Sequence, residues 1–175
     1  MNINFFGAVR LTNLIVQQMV EEDDKNILSG SRRRNYAIVN VGSVQSYLAI
    51  PYRSAYTSSK HALLAYSDSL RGELYLHKNI DVINCQPGYI NTNVSINALT
   101  SDGQANSQND DDHKKGYEPS YVSHRIIRAI INHEKEVLIA VLFHRMGIWL
   151  RFFAPNIYFW IMYLRGKSTF EKKYQ

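Results

Sequence analysis

The chain has 175 residues, 45% of them hydrophobic and 20% charged, which excludes a disordered polypeptide and allows one domain with a substantial core. Its formal charge of +5 comes from 20 basic against 15 acidic residues, with part of the excess in Arg32-Arg33-Arg34 and in a basic tail. Charge placed in that way reads as solvated loop and tail, and it argues against a nucleic-acid partner.

The N-terminal residues have neither the basic region nor the long apolar stretch of a secretory signal. Residues 1–19 read as an amphipathic helix, with Ile3, Phe6, Leu14 and Val16 on its apolar face. The charge run Glu21-Glu22-Asp23-Asp24-Lys25 is expected to end it, and a surface-tolerant polar loop follows to Asn35. Tyr36-Ala37-Ile38-Val39-Asn40-Val41 suits a strand buried on both faces. A helix is predicted over 54–77, with Ala62, Leu63, Tyr66, Leu70 and Leu74 on one broad face. Ile80-Asp81-Val82-Ile83-Asn84-Cys85 forms a second buried strand, stopped by Pro87-Gly88. Cys85 is the only cysteine, so no intrachain disulfide forms, and it packs as a small hydrophobe. Residues 101–115 are polar and read as a loop. Glu118-Pro119 opens a further helix reaching His133, and Val137-Leu138-Ile139-Ala140 is a third short strand. Helices alternating with strands predict an α/β fold with a parallel sheet.

Within that scaffold, Tyr56-Thr57-Ser58-Ser59-Lys60 sets a phenol and an ammonium on one helix face. A neighbouring cation favours the phenolate and draws a tyrosine pKa down from about 10, which suits general acid–base work. The spacing alone is weak evidence. With twelve tyrosines in the chain a chance pair is unsurprising, and Tyr163-Leu164-Arg165-Gly166-Lys167 repeats it. Context separates the two pairs. Ser43 lies thirteen residues before Tyr56, just past a predicted strand, where α/β sheets place ligands. The corresponding residue before Tyr163 is Leu150, which offers no such chemistry.

The run from Ile38 to Lys60 resembles the active-site block of the short-chain dehydrogenases/reductases. Asn4-Phe5-Phe6-Gly7 matches that family's Asn-x-x-Gly helix, and Pro87-Gly88-Tyr89-Ile90-Asn91-Thr92 its Pro-Gly loop. The resemblance implies the C-terminal half of a Rossmann-type, doubly wound parallel sheet, with three strands retained and helices on both faces. It implies a catalytic tetrad of Asn4, Ser43, Tyr56 and Lys60. Cofactor contacts fall to Tyr56, Lys60, Pro87, Gly88, Ile90 and Thr92, with NADP(H) or NAD(H) as cofactor, and no metal site is read. The implied reaction is hydride transfer to or from a carbonyl or alcohol, on a small hydrophobic or lipid-like substrate. Tyr56 exchanges the proton, Ser43 steadies the substrate oxygen, Lys60 holds the nicotinamide ribose, and Asn4 organises a water relay.

The chain also departs from the family pattern. The Thr-Gly-x-x-x-Gly-x-Gly turn that binds the pyrophosphate is absent. Residues 1–143 are therefore expected to be a partial catalytic domain lacking the cofactor-binding half, with 36–41 left as an exposed sheet edge. Alone, the chain is expected to be inactive and to bind NADPH poorly. Ser46 stands where the family usually has glycine. The alternative is a non-catalytic truncated chain that pairs with a full-length subunit; helices 1–19 and 54–77 are the expected packing surfaces for it or for a homodimer. Residues 144–175 form an apolar, basic-flanked segment. Within it 146–164 approaches the length of a membrane span, but Arg151 and Pro155 interrupt it. Two short segments lying on the domain or at a membrane surface are expected instead. Residues 97–103 and 150–155 resemble a membrane-associated branch of the family, which implies an intracellular protein of the endoplasmic reticulum or peroxisome.

Overall fold

In the computed structural model, which describes residues 1–92 and 116–174, a wide-turned opening at Asn2–Gly7 runs straight into helix α1, Ala8–Ser29. The charge run expected to stop this helix lies inside it. The helix ends instead at Gly30, whose left-handed backbone (φ 67°) lets its N–H reach the Asn26 and Ile27 carbonyls. The acidic run stays helical for a tertiary reason. Asp23 is fully buried and accepts hydrogen bonds from Arg33 Nε (2.7 Å) and Asn79 Nδ2 (2.9 Å), with His77 Nδ1 at 2.9 Å. The Arg33 hydrogen bond prevails over burial and, with His77, holds the Asp23 carboxyl down at about 2. Arg34 pairs with Glu22 at 2.8 Å. The segment 21–35 is thus no tolerant surface loop; it fastens α1 to the sheet.

Strands β1 (Tyr36–Val41), β2 (Ile80–Pro87) and β3 (Glu136–Ile139) form a parallel sheet in that order. Helix α2 (Ser54–Glu73) links the first two strands, and α3 (Pro119–Ile131) precedes the third. Alternate residues of β2 point to opposite faces. Ile80 and Val82 pack with Leu70, Leu74, Val16 and Met19 on one side; Ile83 and Cys85 pack with Val122, Ala129 and Val137 on the other. Helices therefore cover both faces, and each fully buried aliphatic side chain contributes about 1.5–3 kcal/mol. Cys85 is fully buried, which pushes its thiol up to about 11, in keeping with a core role. The strand at 36–41 departs from the expected two-sided burial. It is largely half-buried because it forms the outer strand of this sheet, and Val41 at its end is 48% exposed.

Register brings the carboxyl ends together, with Val41 opposite Cys85 and Pro87 opposite Ile139. Two helices, α4 (Leu142–Phe153) and α5 (Pro155–Tyr174), follow β3 and break at Ala154, before Pro155. Among the described residues no helix is long and apolar enough to cross a membrane. The loop expected at 101–115 and the stretch 97–103 lie outside the described residues.

Candidate active site

The sequence Val41-Gly42-Ser43 carries the chain out of β1 at the carboxyl edge of the sheet. A Cβ on Gly42 would lie 2.2 Å from Gln86 Oε1, so only glycine admits the Gln86 carboxamide there. That oxygen accepts the Ser43 N–H at 2.8 Å. Ser43 then caps the short turn Val44–Ser46: its Oγ accepts the Gln45 N–H at 3.2 Å, while Ser46 Oγ receives the Ser43 N–H at 3.4 Å. The Ser43 hydroxyl acts as acceptor in this cap, so its own proton is not spent there. Ser46 has no left-handed backbone. Serine therefore fits where the family has glycine, and it adds a hydrogen bond.

Helix α2 is fixed over β1 by buried polar contacts. Asn40 Nδ2 donates to Ser67 Oγ (2.8 Å), and Thr57 Oγ1 donates to Gln45 Oε1 (3.0 Å). These bonds set the helix rotation that leaves Tyr56 and Lys60 half-buried beside the end of β1. Lys60 Nζ donates to the Val41 carbonyl at 2.9 Å and lies 5.7 Å from the Tyr56 ring centroid. Burial lowers the Lys60 pKa from its ordinary value. Among the described residues this ammonium meets a neutral carbonyl and no carboxylate, leaving donors for a polar ligand. Asn4 is half-buried in the wide-turned opening, which packs against α2. It makes no hydrogen bond to Ser43, Tyr56 or Lys60 among the described residues. The second Tyr-x-x-x-Lys pair is different in kind: Tyr163 and Lys167 are exposed on α5, and Lys167 faces Glu171 at 3.9 Å.

Pro87 ends β2, and the loop after it is pinned on both sides. Gly88 N–H donates to the Ile139 carbonyl (2.8 Å). Asn91 N–H donates to the Tyr117 carbonyl (3.0 Å), Tyr117 N–H to the Tyr89 carbonyl (2.9 Å), and Asn91 Nδ2 to Glu118 Oε1 (3.1 Å). Ile90 pairs with Tyr117 as a short parallel bridge, and Thr92 follows half-buried. Beside this loop lies a cavity of about 340 Å³ lined by Tyr89, Gly116, Tyr117, Val141, Phe143, His144 and Arg165. None of Asn4, Ser43, Tyr56 and Lys60 lines it, so cavity and acid–base group are separate features of one sheet edge.

Sequence reasoning missed Gln86 and Tyr117. Gln86 carried one signal, a buried amide adjoining a Pro-Gly stop, but only the register places it against Gly42. Tyr117 carried none, because its partner loop lies more than twenty residues away in sequence. A partly desolvated ammonium with spare donors suits ligand hydroxyls, and the loop after Pro87 is pinned at the same carboxyl edge of the sheet.

The short chain dehydrogenase family model matches residues 1–102. A dehydrogenase/reductase SDR family protein 7-like from Anopheles gambiae is 41% identical over 168 residues, covering 96% of this chain and 49% of that protein. Dehydrogenase/reductase SDR family member 7B of Xenopus laevis is 38% identical over 173 residues, covering 99% and 50%. The chain thus spans about half the length of the curated relatives it matches. A solved short-chain dehydrogenase from Novosphingobium aromaticivorans aligns with a TM-score of 0.63 at 23% identity, over 86% of this chain and 45% of that one. At that identity the likeness is one of fold.

Proposed function

The chain belongs to the short-chain dehydrogenase family, and on that premise we propose that it carries the proton-transfer side of an oxidoreductase site using NADP(H) or NAD(H). The observation that supports this reading best is the Lys60 ammonium, bonded to the last carbonyl of β1, beside Tyr56 and two residues from Ser43. When bound, the nicotinamide supplies or takes the hydride. Every other role belongs to the chain. Tyr56 gives a proton to the substrate oxygen in reduction and takes it back in oxidation. Ser43 donates a hydrogen bond to that oxygen as charge develops on it. Lys60 holds ribose hydroxyls, while Asn4 orders water leading to Lys60. Pro87, Gly88, Ile90 and Thr92 form the wall against the cofactor. Fixing two reactants on one sheet edge provides much of the rate.

The proposed substrate is a small hydrophobic or lipid-like carbonyl or alcohol, as the family resemblance implies. The 175 residues contain no phosphate-binding glycine turn, so this chain by itself is inactive and binds NADPH weakly. A second reading, a non-catalytic chain that pairs with a full-length subunit, draws support from Leu11 and Leu14, which are exposed on α1.

The experiment begins with the genomic sequence in frame upstream of Met1. The protein carrying that sequence is assayed with NADPH and NADH on a panel of hydrophobic ketones, alongside Tyr56→Phe. Turnover that Tyr56→Phe abolishes supports the catalytic reading; turnover that survives the substitution overturns it. A fluorescence titration of the 175-residue chain that shows tight, saturable NADPH binding would overturn its proposed inactivity.

A further inference from the structure

Between Ser43 and Tyr56 the chain passes through residues 47–53, and the last two helices hold this stretch along its length. Leu48 is buried and faces Gly147 of α4. The Ala49 carbonyl accepts the Tyr158 hydroxyl of α5 at 2.8 Å, and Tyr158 itself is buried. Pro51 lies against Gly166, where a Cβ would come within 3.6 Å of its ring. Tyr52 donates to the Gly166 carbonyl at 3.3 Å. Tyr158 and Gly166 both lie beyond the residues that the short chain dehydrogenase model matches.

Two features make the stretch depend on that hold. Tyr52 has a left-handed backbone (φ 63°), which a bulky residue keeps only where its surroundings impose it. Helix α2 also starts without a side-chain cap: Arg53 stands at the capping position, and no side-chain hydrogen bond closes the first turn. Uncapped N–H groups leave a helix end prone to fraying. Tyr56 is the third residue of that turn, and the bond leading into it, from the Arg53 N–H to the Ile50 carbonyl, is long at 3.3 Å. Thr57 and Lys60 are anchored from below, by Gln45 and by the Val41 carbonyl. The residues before them, Tyr56 included, take their order from the chain that enters the helix. We propose that α5 is a clamp on the entry to α2, with Tyr158 as a positioning residue that sets Tyr56 against the reacting oxygen. The catalytic part of this inference rests on the hydride-transfer reading; the clamp itself does not.

The test uses the protein that carries the upstream sequence. Tyr158→Phe keeps the buried ring and removes only the hydroxyl. Turnover number is expected to fall about ten- to a hundredfold, with KM and NADPH affinity unchanged. Amide hydrogen exchange should quicken in the peptide spanning 47–57 and stay unchanged in 80–87. In a Tyr56→Phe background, Tyr158→Phe should leave the residual turnover unmoved, because the group it positions is already gone. Gly166→Leu, forced against Pro51, should give the same split, and it decides where Tyr158→Phe does not fold. Unchanged exchange over 47–57 overturns the clamp. Unchanged kcat in a protein whose turnover Tyr56→Phe abolishes overturns the positioning role. A rise in KM that matches the loss of kcat, or a further loss in the Tyr56→Phe background, would assign Tyr158 to general stability and overturn that role as well. Turnover that survives Tyr56→Phe strikes the hydride-transfer reading instead, and exchange over 47–57 then decides the clamp alone.

Discussion

The amino ends of the strands enclose carboxylates that are each met by basic and imidazole side chains. Asp23 is met by Arg33 and His77, and Asp81 by His133 and Lys135. At the carboxyl ends the arrangement is reversed: the half-buried Lys60 ammonium meets a neutral carbonyl, and Ser43 is held through its backbone while its hydroxyl proton stays uncommitted. Buried charge left unpaired costs free energy, so a fold retains it where it serves a ligand or a reaction. The same sheet therefore has a closed polar network at one edge and an open one, where the proposed chemistry would take place, at the other.

Substitutions at the two edges should separate along that line. Turnover is read in the protein that carries the upstream sequence; the largest effect there is expected from Tyr56→Phe, which should lower kcat by about 10²–10⁴-fold with the melting temperature unchanged. Unaltered kcat would show that the carboxyl edge is not the reacting one. Gln86→Leu comes next. It removes the acceptor of the Ser43 N–H and should cost about 1–3 kcal/mol as well as lowering kcat through a displaced serine. Gly42→Ala, which drives a Cβ into the same carboxamide, should reproduce this mixed loss in kcat and chemical denaturation. If either variant altered stability alone, the open edge would be structural after all.

Asp23→Ala should act on stability only, by about 2–3 kcal/mol, because it strands the hydrogen-bond donors of Arg33, His77 and Asn79. The pH dependence follows from the same group. The folded Asp23 carboxyl lies at about 2 against an ordinary 3.8, its largest cause being the Arg33 hydrogen bond, so its contribution is present above pH 4 or so and is lost as pH falls toward 2. Asp81 shifts in the same direction: burial alone would raise it, but His133 and Lys135 together prevail. Denaturation midpoints measured down this range should fall for the unaltered chain and fall less for Asp23→Ala; parallel curves would remove Asp23 from the explanation. The smallest effect is expected from Tyr163→Phe on α5, which should leave turnover and stability unchanged in the same assays.

Much of this was legible before any coordinates. The β-branched runs at 36–41 and 80–85 have the composition and length of buried strands, and Pro119 marks the start of α3 within a residue. The spacing of Ser43, Tyr56 and Lys60 likewise follows from strand and helix geometry, and the structure brings Tyr56 and Lys60 to the end of β1. The end of α1 was misread because a run of acids looks like solvent exposure. Asp23 finds its partners ten, fifty-four and fifty-six residues further on, beyond the reach of local periodicity. The apolar character of 146–164 was visible, but composition does not say which side of a helix faces the core.

Residue order alone decided the alternation of strands and helices, the chemistry available at each position, and the spacing that puts a phenol and an amine on one face. Those are short-range properties, set by backbone propensity and side-chain type. Tertiary structure decided which polar groups are buried, which charges are cancelled, and which apolar faces are left uncovered. Each of those outcomes depends on strand register and on partners distant in the chain: Gln86 reaches Gly42 only because Val41 pairs with Cys85.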